Sequence, residues 1–143
     1  MDIGNRNEGD RMILVIGGAF QGKRKFAEQR MAQLGVGKPV WRDGQTAAWE
    51  EYCEAEWKMG LPCMIKRRME TEGDHFSAEK FVLDLCGKAD VQVIVSEEIG
   101  SGIVPMDAFL RAWREETGRI QCSLASQAGE VWRVVGGIGQ RIK

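Results

Sequence analysis

The chain has 143 residues, 43% of them hydrophobic, with 20 Lys and Arg against 21 Asp and Glu. This length fits one domain with a sizeable core, and so even a charge gives no overall electrostatic reason for a nucleic-acid or membrane partner. Apolar runs such as Val93-Ile94-Val95 are too short to cross a bilayer and the polar N-terminus lacks a signal-peptide core, so a cytoplasmic location is expected.

Residues 1–11, MDIGNRNEGDR, are polar and without periodicity, and read as a disordered extension; a single nucleotide-binding domain is expected over 12–143. Met12 to Ile16 reads as a buried strand. It runs into GGAFQGKR, Gly17 to Arg24, which has the G-x-x-x-x-G-K spacing of a phosphate-binding loop. Gly17, Gly18 and Gly22 let the backbone of Ala19, Phe20 and Gln21 curl so that successive N–H groups converge on an anion, and Lys23 supplies a point charge. Arg24 stands where a Ser or Thr hydroxyl would hold magnesium; a guanidinium cannot ligate a cation but can contact a phosphate oxygen or a carboxylate. A nucleoside triphosphate, GTP or ATP, is the expected ligand, with magnesium possible.

Phe26, Ala27, Arg30, Met31 and Leu34 give helical spacing that stops at Gly35. Pro39 to Arg42 suggests a short strand entering an Asp43-Gly44 turn, and Thr46 a cap for a helix through Lys58. Ser77 to Cys86 reads as a helix with Ala78, Phe81, Val82 and Leu85 on one face and Gly87 as its stop. Val91 to Val95 is a second buried strand, ending in Ser96-Glu97-Glu98, where one of the two carboxylates is expected to enter a site as magnesium ligand or proton acceptor. Met106, Phe109, Leu110 and Trp113 mark an amphipathic helix that Gly118 interrupts, and Val131 to Val135 a last strand before the tail GGIGQRIK. Arg111, Arg114 and Arg119 on that helix are candidates for offsetting phosphate charge.

The alternation predicts a three-layer α/β domain with a mainly parallel sheet, its glycine clusters (Gly17-Gly18, Gly100/Gly102, Gly136-Gly137) along one edge. The four cysteines form no C-x-x-C pair and read as reduced thiols. His75, the one histidine, reads as a loop or cap residue, and packing is the default for the five tryptophans.

Taken together, GGAFQGK, VSEEIGSGIVP, RAWREETGRIQCSLA and VWRVVGGIGQRIK resemble the adenosylcobinamide kinase/adenosylcobinamide-phosphate guanylyltransferase family. The resemblance implies a P-loop NTPase of RecA-like character, a ring-like homotrimer and a late step of cobalamin synthesis. In such enzymes a nucleoside triphosphate phosphorylates the aminopropanol arm of adenosylcobinamide, and GTP then supplies GMP through a histidine-linked intermediate. By this resemblance Gly17 to Arg24 match the nucleotide loop, Glu98 the acidic strand end, where it is the candidate catalytic and magnesium-binding carboxylate beside Lys23, and Arg111, Arg114, Gly118 and Arg119 the following helix. Four positions depart from the pattern: Arg24 replaces the hydroxyl residue, Glu97 an Asn, and Gln121-Cys122 an Asn-Gln pair. The segment carrying the guanylylated histidine is shortened or lost, and His75 lacks its motif. These departures favour kinase-type phosphoryl transfer over guanylyl transfer; the competing reading is a noncatalytic nucleotide or corrinoid sensor, or an assembly partner.

Overall fold

The computed structural model describes residues 12–99 and 106–143; the expected extension over 1–11 and the Gly100/Gly102 pair lie outside the described residues. β1, Met12–Gly17, is apolar without alternation, a pattern that demands cover on both faces. The remaining strands are β2 (Trp41–Asp43), β3 (Trp57–Met59), β4 (Gln92–Glu97), β5 (Glu130–Val135) and β6 (Ile138–Arg141), in the spatial order β2-β3-β4-β1-β5-β6. β1 pairs in parallel with β4, from Met12 opposite Gln92 to Gly17 opposite Glu97, and with β5 on its other edge. β2, β3 and β4 continue in parallel, and β6 alone is antiparallel.

Helix α1, Lys23–Gln33, packs Ala27 and Met31 on one face of the sheet against Ile13, Val15, Val93, Val95 and Val134. The opposite face is covered by α2 (Trp49–Glu54), α3 (Leu61–Glu72), α4 (Ala78–Cys86) and α5 (Ala108–Gln127). Their buried Tyr52, Leu61, Ile65, Phe81, Leu85, Ile120 and Leu124 meet Leu14, Ile94 and Val131. The result is the expected three-layer α/β arrangement with a mostly parallel sheet. The α4 cap is also as expected, with Ser77 Oγ accepting from the Lys80 N–H and Gly87 closing the helix.

Three expectations fail locally. The helix proposed from Thr46 to Lys58 is only α2, because Thr46 and Ala47 N–H turn back onto the Asp43 carbonyl and Trp57 to Met59 leave to pair with β2 and β4. A strand of three residues is too short to show a period of two, and α3, which begins at Leu61 with Pro62 in its first turn, was not expected. Gly118 does not interrupt α5: burial of Thr117, Ile120 and Leu124 on one face outweighs a glycine penalty of about 1 kcal/mol. In the tail, Gly136 and Gly137, both at positive φ, form the two-residue turn of a hairpin that makes β6.

Lys58 is fully buried at the other end of the sheet from the glycine loop, donating to the Ala55 carbonyl and to Gln92 Oε1 at 2.8 Å. Gln92 Nε2 in turn donates to the carbonyls of Cys86 and Ala89, so one charge ties β3 and β4 to the ends of α2 and α4. Burial depresses its ammonium to about 8, against the opposing influence of Cys53, Cys86 and Glu56. A depressed lysine makes the unfolded chain the stronger proton acceptor, so its burden on stability is full below pH 8 and is relieved as pH rises toward the unfolded value. Burial of Cys53 and Cys86 acts oppositely, since thiols held above their ordinary value lose stability as the unfolded chain ionises. The stability of wild type minus that of Lys58→Met, from urea denaturation, should therefore rise by on the order of 2 kcal/mol between about pH 7 and about pH 10. A difference that does not change with pH would refute the buried-charge account.

The β5–β6 hairpin is locked to α1 by a close approach. A Cβ on Gly139 would stand 2.1 Å from the Phe26 ring, which is itself packed 5.1 Å from the Trp132 ring. Gly139→Ala should cost about 1–3 kcal/mol by overpacking, and less when Phe26 is already Leu. Equal costs in the two backgrounds, by thermal or chemical denaturation, would show that the ring is not the obstacle.

Candidate functional site

β1 and β4 are neighbours, yet the chain beyond β1 continues in α1 on one face and the chain beyond β4 resumes in α5 on the other. Adjacent strands whose continuations part leave a crevice at their carboxyl ends. Here that crevice is a cleft of about 680 Å³, within the usual range of roughly 300–1,000 Å³ for ligand pockets. Its wall is the glycine loop from Phe20 through Lys25, and the ends of β2, β3 and β4 contribute Asp43, Met59 and Glu97.

The loop is held from beneath and from one side. Gly17 must lack a side chain, since a Cβ would lie 2.5 Å from the Val134 carbonyl oxygen and 3.3 Å from Lys23 Cδ. Gly22, at φ 81°, starts α1 with no side-chain cap and no acidic residue in the first turn, so the positive end of the helix opens on the cleft. Gln21 turns to the hairpin, its Oε1 accepting from Gly136 N–H at 2.6 Å and its carbonyl from Gly137 N–H at 2.8 Å. Phe20 lies at φ 59° with its ring in solvent at the mouth. Gly17, Gly18 and Ala19 shape the turn without lining the cleft itself.

Lys23 is buried and donates from Nζ to the Gly18 carbonyl at 2.6 Å. Burial holds its ammonium below the ordinary lysine value, while the Glu97 and Glu98 carboxylates pull it upward. Arg24 is exposed and lines the cleft, with Nη1 3.6 Å from the Met59 sulfur. Lys25 completes a cationic wall. Two carboxylates face it: Asp43, whose Oδ1 accepts from Gln45 N–H at 2.9 Å, and Glu97.

The two carboxylates at the end of β4 take different places. Glu98, the candidate catalytic and magnesium-binding carboxylate, does not line the cleft; it pairs with Arg133 at 3.2 Å, while its N–H donates to the Gly17 carbonyl. Val93 and Val95 lie on the α1 face of the sheet and Ile94 on the other, so strand alternation carries Glu97 to the α1 side, while Glu98, just past the end of β4, turns to Arg133. The arginines of α5 are not brought to the cleft either. Arg111 donates to the Met106 carbonyl and Arg119 pairs with Glu116 at 2.8 Å. His75 is exposed in a 3₁₀ turn, Gly73–His75, away from the cleft. Trp57 is buried against Trp41, and Trp49 packs on Phe81 with Arg68 above it.

Sequence reasoning misses Lys25, Asp43, Gln45, Met59, Gly60, Cys63 and Val95 as cleft residues. The only signal was the Asp43-Gly44 turn, which could not say that β2 would end beside the glycine loop. Gln121, a departure from the family pattern, donates from Nε2 to Ser96 Oγ at 2.8 Å and to the Glu97 carbonyl at 2.9 Å, fixing the end of β4. Burial, with the nearby Asp43 and Glu97 carboxylates, pushes the Cys63 thiol up, which keeps it a protonated and weak nucleophile near neutral pH.

The family comparison reaches the β3-β4 side of this cleft, with Gly60, Cys63, Val95 and Glu97, but not its glycine loop. The family model described as cobinamide kinase / cobinamide phosphate guanyltransferase (CobU) matches residues 60–142, from the start of α3 to just past β6. Two proteins named bifunctional adenosylcobalamin biosynthesis protein CobU are similar, from Escherichia coli (strain K12) and Salmonella typhimurium (strain LT2). Each is 49% identical over 51 residues, which is 36% of this chain and 28% of the relative. The match thus spans little more than a quarter of the length of those relatives. The glycine loop lies outside the family match, so its reading rests on its own geometry, but the match covers more than half of the sequence. The chain belongs to the cobinamide kinase / cobinamide phosphate guanyltransferase family.

Proposed function

We propose that the chain binds a nucleoside triphosphate in the cleft between the glycine loop and the end of β4, and acts in cobalamin synthesis. The observation that carries this reading is the cleft itself, where an uncapped helix N-terminus, Lys23, Arg24 and Lys25 converge at the crevice between β1 and β4. Backbone N–H groups and these cations are suited to a polyphosphate, and phosphoryl transfer depends chiefly on positioning and charge stabilisation. In this reading the acceptor is the hydroxyl of the aminopropanol arm of adenosylcobinamide, and Glu97 is the carboxylate that orients it or takes its proton. Kinase-type transfer is favoured over guanylyl transfer because His75, the one histidine of the sequence, stands in the 3₁₀ turn Gly73–His75 without the motif of a guanylylated residue. Among the described residues no helix is long and apolar enough to cross a membrane. A homo-oligomer, a trimer by family resemblance, and a cytoplasmic site of action belong to the same proposal.

Calorimetry with GTP, ATP and GMP should show binding to wild type and a loss of at least about tenfold in Lys23→Ala, which removes a charge-assisted contact. Unchanged affinity in that variant would place the phosphates elsewhere. With labelled triphosphate and adenosylcobinamide, Glu97→Gln should slow transfer by about a hundredfold and Glu98→Gln by much less. The reverse ranking would make Glu98 the acting carboxylate, and nucleotide binding without any transfer would favour the sensor reading.

A further inference from the structure

The position after the phosphate-loop lysine distinguishes this cleft from one that holds a nucleotide through magnesium. In P-loop proteins a hydroxyl at that position and a strand-end carboxylate hold the ion. Here the hydroxyl is replaced by Arg24, so of those two ligands only a strand-end carboxylate, Glu97, lines the cleft. Glu98 is paired with Arg133, and Asp43 Oδ1 already accepts the Gln45 N–H. Met59 ends β3 between the ends of β2 and β4, setting a thioether where a hard cation requires oxygen. Asp43 and Glu97 stand on strands two places apart and, by the register, two residues apart along the strands, which separates their backbones by roughly 12 Å. Among the described residues no group of three His, Cys, Asp or Glu side chains is gathered for a metal. The donor set falls short of the usual magnesium site by the hydroxyl after Lys23.

The same residues fit a polyanion without it. Lys23, Arg24 and Lys25 face Asp43 and Glu97 across the cleft, so the lining carries a net positive charge before any ion enters. A thioether is a weak acceptor, so Met59 holds the Arg24 guanidinium loosely and leaves its planar fork available to phosphate oxygens. We propose that this cleft takes its polyphosphate free of a divalent ion, with the Arg24 guanidinium supplying the charge that magnesium supplies elsewhere. The ligand class is accordingly the metal-free nucleoside triphosphate, or a triphosphate chain alone. This rests on the phosphate-binding reading above.

The test is calorimetry of ATP, GTP and inorganic triphosphate against wild type, Arg24→Gln and Arg24→Ser, each in EDTA and in excess magnesium. Because Arg24 is exposed, both variants should keep the wild-type melting temperature. Wild type should bind in EDTA at least as tightly as in magnesium. Arg24→Gln should lose at least about tenfold in EDTA with no rescue by magnesium, whereas Arg24→Ser, given back a hydroxyl, should recover part of its loss when magnesium is added. Binding by wild type only in magnesium, or undiminished binding by Arg24→Gln in EDTA, overturns this proposal and leaves the phosphate site standing. Failure of wild type to bind any of the three ligands in either condition overturns both.

Discussion

Gly17 ends a strand that is hydrogen-bonded along both edges, and a Cβ there would lie 2.5 Å from the Val134 carbonyl oxygen. A central strand cannot shift sideways to relieve such a contact without breaking one of its ladders. The absence of a side chain at this position therefore fixes where β1 stops and where the glycine loop begins. It also leaves room for the stem of Lys23 to cross behind the loop and reach the Gly18 carbonyl. The cleft takes its geometry from this backbone packing, and the charged side chains are added to a shape already set.

The C-terminal hairpin sustains that shape along the whole of α1. Gln21 binds the Gly136-Gly137 turn through two hydrogen bonds, Phe26 lies on Gly139, and Arg30 forms a two-point pair with Glu130 at 2.9 and 3.0 Å. The Arg30 guanidinium also lies 5.3 Å from the Trp132 ring, while Trp132 Nε1 donates to the same Glu130 carboxylate. Arg30 and Trp132 hold the Glu130 carboxyl below its ordinary value, so this clasp weakens only as pH falls through that lowered range. The stretch that shows the family membership thus supports, from beneath, the loop that lies outside the family match.

Charge is distributed by depth. At the carboxyl ends of the strands Arg24 and Lys25 are exposed, and Lys23, though buried, lines the same cleft, where a polyanion can reach them. At the amino ends Lys58 is sealed from water and satisfied by protein oxygens. Its ammonium therefore serves the joint between β3, β4 and the helices. A single sheet in this way separates a structural cation from the proposed ligand-binding ones.

Sequence alone was sufficient where structure is local or where burial leaves a periodic mark: β1, the glycine loop, α1, α4, β4 and β5 all announce themselves through apolar runs, glycine spacing or caps. It also placed Lys23 and Arg24 beside each other at a helix start, because adjacent residues need no fold to bring them together. It could not decide between Glu97 and Glu98, since both are carboxylates at a strand end and only the pleat sends one to the α1 face and the other to Arg133. Nor could it find β3, whose three residues acquire their conformation from pairing with β2 and β4. Asp43, Met59 and Cys63 enter the cleft by the same route, as long-range neighbours brought in by strand order. Spacing along the chain determined the chemistry of the loop, and tertiary pairing decided what faces it, because contacts between distant segments leave no pattern in either segment taken alone.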